Sequence, residues 1–184
     1  MATALVLIDI QNDYFPGGRM ELEGSEEAAG KARAALELFR TRRMPVIHVN
    51  HLSTRPGATF FLPGTAGLEP HESVAPRPDE PVVVKHYPNS FRGTRLHDLL
   101  GSAGAKRVVI AGMMTHMCVD ATTRAAIDLG FDCTILHDAC ATRSLAFGSR
   151  VVPAADVHAA FLAALGAATA NVVGTDELRR LAGA

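Results

Sequence analysis

Three residues stand out by their type and by where they fall. In "ALVLIDIQNDYF" an acid, Asp9, interrupts an apolar run; "PVVVK" ends on Lys85; and "GMMTHMCVDATTRAAIDLG" sets Cys118 just past an apolar run and a glycine, in the first turn of a helical pattern. Each has an ordinary reading alone: a turn-capping Asp, a lysine snorkelling from a sheet edge, a small buried thiol. Together they describe a chemistry. A free thiol titrates at about 8.5, and its thiolate is favoured by a helix N-terminus and by a neighbouring cation. Lys85 would supply that cation. Asp9 would accept the thiol proton and return it to a leaving group, as a general acid/base must. His116 lies two residues from Cys118, where helical side chains do not face each other, and reads as a pocket-wall residue rather than as the base.

The elements that must position these groups follow from periodicity. Short apolar, β-branched runs recur at 4–10, 45–50, 81–85, 107–112, 133–136 and 170–173, and helical patterns at 25–43, 94–100, 115–129, 153–165 and 175–182 lie between most of them. Ser25 is the expected N-cap of the first helix, with acids in its first turn and basic residues at its end. Alternating strands and helices, with strands apolar on both faces, predict an α/β fold: a three-layer α/β/α doubly wound sheet, mostly parallel, of about six strands. Such a sheet puts the carboxyl ends of its strands along one edge, so Asp9, Lys85 and Cys118 are expected in one crevice. The Gly- and Pro-rich segment 51–80 is longer than ordinary connections and reads as a lid or binding wall.

The 184 residues fit a single domain spanning 1–184. A formal net charge of −1 with interspersed charges gives no footprint for nucleic acid. The expected partners are small molecules or copies of the same chain. Three cysteines, without a CxxC or Cys-His pattern, suggest neither a disulfide framework nor a zinc site. With an N-terminal run that lacks a basic lead-in and no run of membrane-spanning length, they point to a cytoplasmic protein that uses no membrane. Cys133 reads as strand core, Cys140 as a small residue in a tight loop and His158 as a capping or packing residue. "FPGGR" has the spacing of neither a dinucleotide fingerprint nor a Walker loop, so no nucleotide cofactor is expected.

The motifs "LVLIDIQNDYFPGG", "VVVKHYPNSF" and "VVIAGMMTHMCVDATTRAA", in this order and spacing, resemble the isochorismatase-like cysteine hydrolase superfamily, which includes nicotinamidases and N-carbamoylsarcosine amidases. The resemblance covers nearly the whole chain. It implies an Asp-Lys-Cys triad at Asp9, Lys85 and Cys118, cleaving the C–N bond of a small amide or ureido compound through a thioester. It also implies a non-proline cis peptide at Met113–Met114 and an oxyanion hole made by the Met114 and Cys118 backbone N–H groups. A homo-oligomer is implied as well. Tyr14, Phe60, Phe61, Phe91 and His116 are the expected substrate-binding wall. Nicotinamidases add a metal site after the second strand; here Asn50 stands where an acid is expected, His51 is retained, and Phe60 and Phe61 stand near where a further His belongs. His48 and His51, three apart, point to opposite faces. No metal is therefore expected, and nicotinamide is not the expected substrate. Two alternatives stay open: vinyl-ether hydrolysis of the isochorismatase type, which does not need the thiol, and a thiol sensor or binding protein on the same fold.

Overall fold

The computed structural model describes residues 2–168 and 170–178. In chain order they form β1 (Ala2–Ile8), α1 (Ser25–Thr41), β2 (Val46–His51), β3 (Val82–Lys85), α2 (Leu96–Ser102), β4 (Ala105–Met113), α3 (Asp120–Asp128), β5 (Asp132–Ala141), β6 (Leu145–Phe147), β7 (Arg150–Val152), α4 (Ala154–Ala167) and β8 (Asn171–Val173). Six strands make one sheet in the order β3-β2-β1-β4-β5-β8, and every neighbouring pair is parallel. The predicted doubly wound α/β architecture is the one observed.

Strand β1 shows why both faces had to be apolar. Leu5 and Leu7 belong to the core that includes Leu36 and Phe39 of α1. Ala4, Val6 and Ile8 belong to the other core, with Leu100 of α2, Ala126 of α3 and Leu165 of α4. The chain leaves β1 for β2 on one side and returns from β3 to β4 on the other. The strand order therefore reverses between β1 and β4, the point at which open α/β sheets leave a crevice beyond their carboxyl ends. No helix among the described residues is long and apolar enough to cross a membrane.

The differences from the sequence reading are local. Helix α1 begins one residue past a left-handed Gly24 (φ 71°), so Ser25 is its first helical residue and no side chain caps it. The pattern read as one helix over 115–129 is a π-helical turn, Thr115–Val119, continued by α3. Strand β5 runs on to Ala141, because a register shift after Ile110 lets Gly112 pair with Cys140. Cys140 is consequently a buried strand residue and not a loop residue. Strands β6 and β7 form an antiparallel hairpin that the sequence reading missed, with Phe147 and Val151 exposed. Of the predicted helix 175–182, residues 175–178 are helical and the remainder lies outside the described residues.

Gly112 sits where β4 comes closest to β1. Its φ is 140°, and a Cβ there would collide with the backbone carbonyl of Ile8, the residue before Asp9. Only glycine allows this approach. Gly112→Ala is expected to lower stability by about 3 kcal/mol or more, from strain and overpacking together. Urea unfolding checks this, and an unchanged midpoint would refute the account of the strand contact.

Candidate active site

Asp9 follows β1 in a left-handed conformation (φ 52°), and its backbone N–H donates to the Val49 carbonyl at 2.8 Å. A non-glycine residue at positive φ is uncommon and needs support from its surroundings. Here it leaves the carboxylate fully buried at the crevice. Lys85, the last residue of β3, is also fully buried, and its ammonium donates to three acceptors: Asp9 Oδ2 at 2.7 Å, His51 Nδ1 at 3.1 Å and Cys118 Sγ at 3.2 Å. An ammonium has three donors and no acceptor. All three protons therefore have partners, which is how a charged amine is tolerated out of water.

The three residues singled out in the sequence thus meet at one atom. They come from the ends of β1 and β3 and from the π-turn after β4. His51, at the end of β2, joins them. The Met113–Met114 peptide bond is cis, and Met114 lies beside Cys118 on the wall of the adjoining cavity.

The electrostatics of the group are tightly linked. Burial pushes the Lys85 pKa down, but the Asp9 carboxylate and the Cys118 sulfur outweigh it, and the net shift is upward. His51 is lowered to about 4, first by burial and then by the Lys85 charge, so it is neutral near pH 7. Burial raises the Cys118 thiol well above its ordinary range, the Asp9 charge raises it further, and Lys85 opposes both. The cation favours the thiolate as the sequence reading expects, but burial and the Asp9 charge outweigh it. Asp9 Oδ1 is buried with no hydrogen-bond partner among the described residues.

Asp9, His51 and Cys118 also offer three potential metal-ligand atoms within 4.8 Å of one another. They converge because all three bond the same ammonium. A divalent ion among them would have to displace Lys85 Nζ or sit against its charge. The set does not fit a metal.

A cavity of about 580 Å³ opens above Cys118. Its wall comprises Tyr14, His51, Met114 and Met117, most of the stretch from Ser53 to Phe60, and His86, Tyr87 and Pro88. Tyr14 and Phe60 are where the sequence reading expected them. Three other expected wall residues are elsewhere. Phe61 is fully buried behind the wall, edge-on to Tyr14 with ring centroids 4.6 Å apart. Phe91 stacks on Phe131. His116 Nδ1 bonds Thr142 Oγ1 at 2.5 Å, and its ring meets Phe161 edge-on.

The residues that hold the wall went unread in the sequence. Gln11 accepts from the His51 N–H at 2.7 Å and donates to the His51 and Leu68 carbonyls. Asn12 donates to the Ala66 carbonyl, and Asp13 Oδ2 accepts from the Phe61 N–H at 2.6 Å. The signal was present: three consecutive amide and acid side chains, Gln11 to Asp13, set off by two residues from the end of a buried strand. Arg55 and Tyr87 were also missed. Arg55 lies in the aperiodic segment 51–80 and gave no signal, whereas Tyr87, two residues past Lys85 in "VVVKHYPNSF", was passed over.

The sequence profile of the isochorismatase domain matches residues 3–177. The uncharacterized isochorismatase family protein YddQ of Bacillus subtilis is 49% identical over 176 residues, which cover 96% of this chain and 98% of YddQ. The crystal structure of an isochorismatase-family protein from Oleispira antarctica superposes with a TM-score of 0.93 at 53% identity, covering 96% of this chain and 95% of that one. A streptothricin hydrolase of Streptomyces noursei is 35% identical over 83% of this chain and 55% of its own length. The ureidoacrylate amidohydrolase RutB of Stutzerimonas stutzeri is 28% identical over 74% and 68%. A profile match along nearly the whole chain, with relatives of this identity and coverage, makes the chain a member of the isochorismatase family of hydrolases.

Proposed function

We propose that the chain is a cysteine hydrolase that cleaves a C–N bond, amide or ureido, in a small molecule, with Asp9, Lys85 and Cys118 as its catalytic residues. One observation carries this reading: a single buried ammonium bonds both the carboxylate and the sulfur at the floor of the cavity. Amide-cleaving relatives, among them the ureidoacrylate amidohydrolase, support it.

The raised thiol pKa sets the order of events. Cys118 rests as a thiol, so its proton must leave as the sulfur attacks. The proton passes to the Asp9 carboxylate, whose Oδ1 is the acceptor without another partner. The sulfur adds to the substrate carbonyl carbon, and the C=O electron pair moves onto oxygen. The Met114 and Cys118 backbone N–H groups stabilise that oxyanion, a contribution of about 3–4 kcal/mol per donor in comparable sites. The intermediate collapses, Asp9 gives its proton to the departing nitrogen, and ammonia or an amine leaves a thioester on Cys118. Water then attacks with Asp9 as base. The acid departs, and the sulfur regains its proton. Lys85 remains an ammonium throughout, holding the carboxylate and attracting the sulfur whenever it carries charge.

Cys118→Ala is expected to abolish ammonia release from a panel of small primary amides and ureido acids, while leaving the fold intact. Intact-mass measurement should find an acyl adduct on the wild type alone; undiminished turnover in the variant would remove the covalent mechanism. Loss of turnover across the whole panel in wild type, with vinyl-ether cleavage detected, would favour the isochorismatase-type alternative.

Asp9→Asn separates the base from the nucleophile. Removing the carboxylate removes one of the effects that raise the thiol pKa and leaves Lys85 facing the sulfur. Iodoacetamide should therefore alkylate Cys118 faster at neutral pH in Asp9→Asn than in wild type, and the half-maximal rate should fall at lower pH. Amide turnover should drop by about 100-fold or more, the usual worth of a general base. Slower alkylation would contradict the electrostatic account.

A further inference from the structure

His51 has no part in the proton path above, yet it bonds the central ammonium and faces the cavity. Because an ammonium only donates, His51 Nδ1 must accept from Lys85. A neutral imidazole that accepts at Nδ1 carries its proton on Nε2. No group among the described residues bonds Nε2, and Nε2 is not a sealed, unpartnered atom. His51 is one of the residues that line the cavity. Its backbone is fixed on both sides, since the Gln11 side chain bonds the His51 N–H and carbonyl. The tautomer and the direction of the ring are thus set before any ligand arrives. This makes His51 a fixed donor beside the sulfur, with a ring nitrogen within 4.8 Å of it.

We propose that His51 is a specificity residue: held by Lys85 with its proton on Nε2, it donates to an acceptor atom on the substrate, so the cavity selects amides carrying a carbonyl oxygen or ring nitrogen next to the group being cleaved. The inference rests on the amidase reading for the word substrate, but the tautomer and the donor do not. The scissile carbonyl oxygen is assigned to the Met114 and Cys118 N–H groups, so the acceptor that meets His51 is a second one. An aliphatic amide without such an atom leaves Nε2–H desolvated and unpaired, which costs binding.

Two measurements test this. Long-range 1H–15N correlation spectra of the wild-type protein, with His51 assigned by comparison with His51→Asn, should show a protonated Nε2 and a bare Nδ1 near pH 7. The opposite tautomer, or a doubly protonated ring, overturns the proposal. The second compares two amides of matched size, malonamide, which carries a second carbonyl, and 3-methylbutanamide, which does not, as protectants of Cys118 against iodoacetamide. In wild type, malonamide should protect at a concentration about threefold to tenfold lower, the worth of one neutral hydrogen bond. In His51→Met, whose thioether can still accept weakly from Lys85 but has no donor to offer a substrate, that preference should vanish, each variant being compared with its own unprotected rate. An unchanged preference in the variant, or no protection by either amide at saturation, overturns the recognition role. Failure of the amidase reading looks different: no acyl adduct forms with any amide, while the tautomer and the protection ratio stand.

Discussion

An ammonium buried completely inside a protein is the constraint from which the rest of this site follows. Removing such a charge from water costs several kcal/mol, and the cost is tolerated only where every donor finds an acceptor at short range. Lys85 meets that condition with a carboxylate, an imidazole and a sulfur. These come from three further places in the fold, so the ends of β1, β2 and β3 and the π-turn after β4 must be registered to within a few tenths of an ångström. Parallel pairing supplies most of that register. The close contact of Gly112 with the end of β1 supplies the part that an ordinary residue would prevent.

The same arrangement governs how charge is distributed. The carboxylate and the ammonium form the ion pair, and the sulfur stays neutral beside it. In the proposed mechanism a thiol held this way is quiet toward chance electrophiles, and becomes a nucleophile when a proton can move to Asp9. Its reactivity thus belongs to the group rather than to the cysteine. This is a physical reason for a family hydrolase to keep the sulfur buried against an acid instead of exposed beside a base.

The meeting of Asp9, Lys85 and Cys118 was legible in the sequence because each breaks a pattern. Apolar runs that should be buried on both faces ended on groups that cannot be buried alone. The fold class was legible for the same reason, from the alternation of runs and helices. The wall was less so. Phe91 and His116 are aromatic and near in sequence to Lys85 and Cys118, but their directions depend on the contacts with Phe131, Thr142 and Phe161, which no local pattern reports. Phe61 turns inward through a left-handed conformation (φ 54°) that aromatic residues rarely adopt. The extension of β5 was hidden by the irregularity at Gly112, and the β6–β7 hairpin by its short strands. The net direction of the Cys118 shift was not legible for another reason: it depends on the balance of burial and two opposite charges, and a sequence gives the charges without the burial.

The long segment between β2 and β3 is tied down by Gln11, Asn12 and Asp13, which bond it at His51, Phe61, Ala66 and Leu68. Between the first two of those anchors, most residues from Ser53 to Phe60 line the cavity, and none of their side chains bonds Asp9, Lys85 or Cys118. Margins tied down in this way, and closed on each other by the Ser53 N–H to Phe61 carbonyl bond at 3.0 Å, make the loop between them a replaceable cassette. Its residues can be exchanged, by drift or by an engineer, without disturbing the ion pair beneath. The scaffold thereby separates the inheritance of a reaction from the choice of what undergoes it.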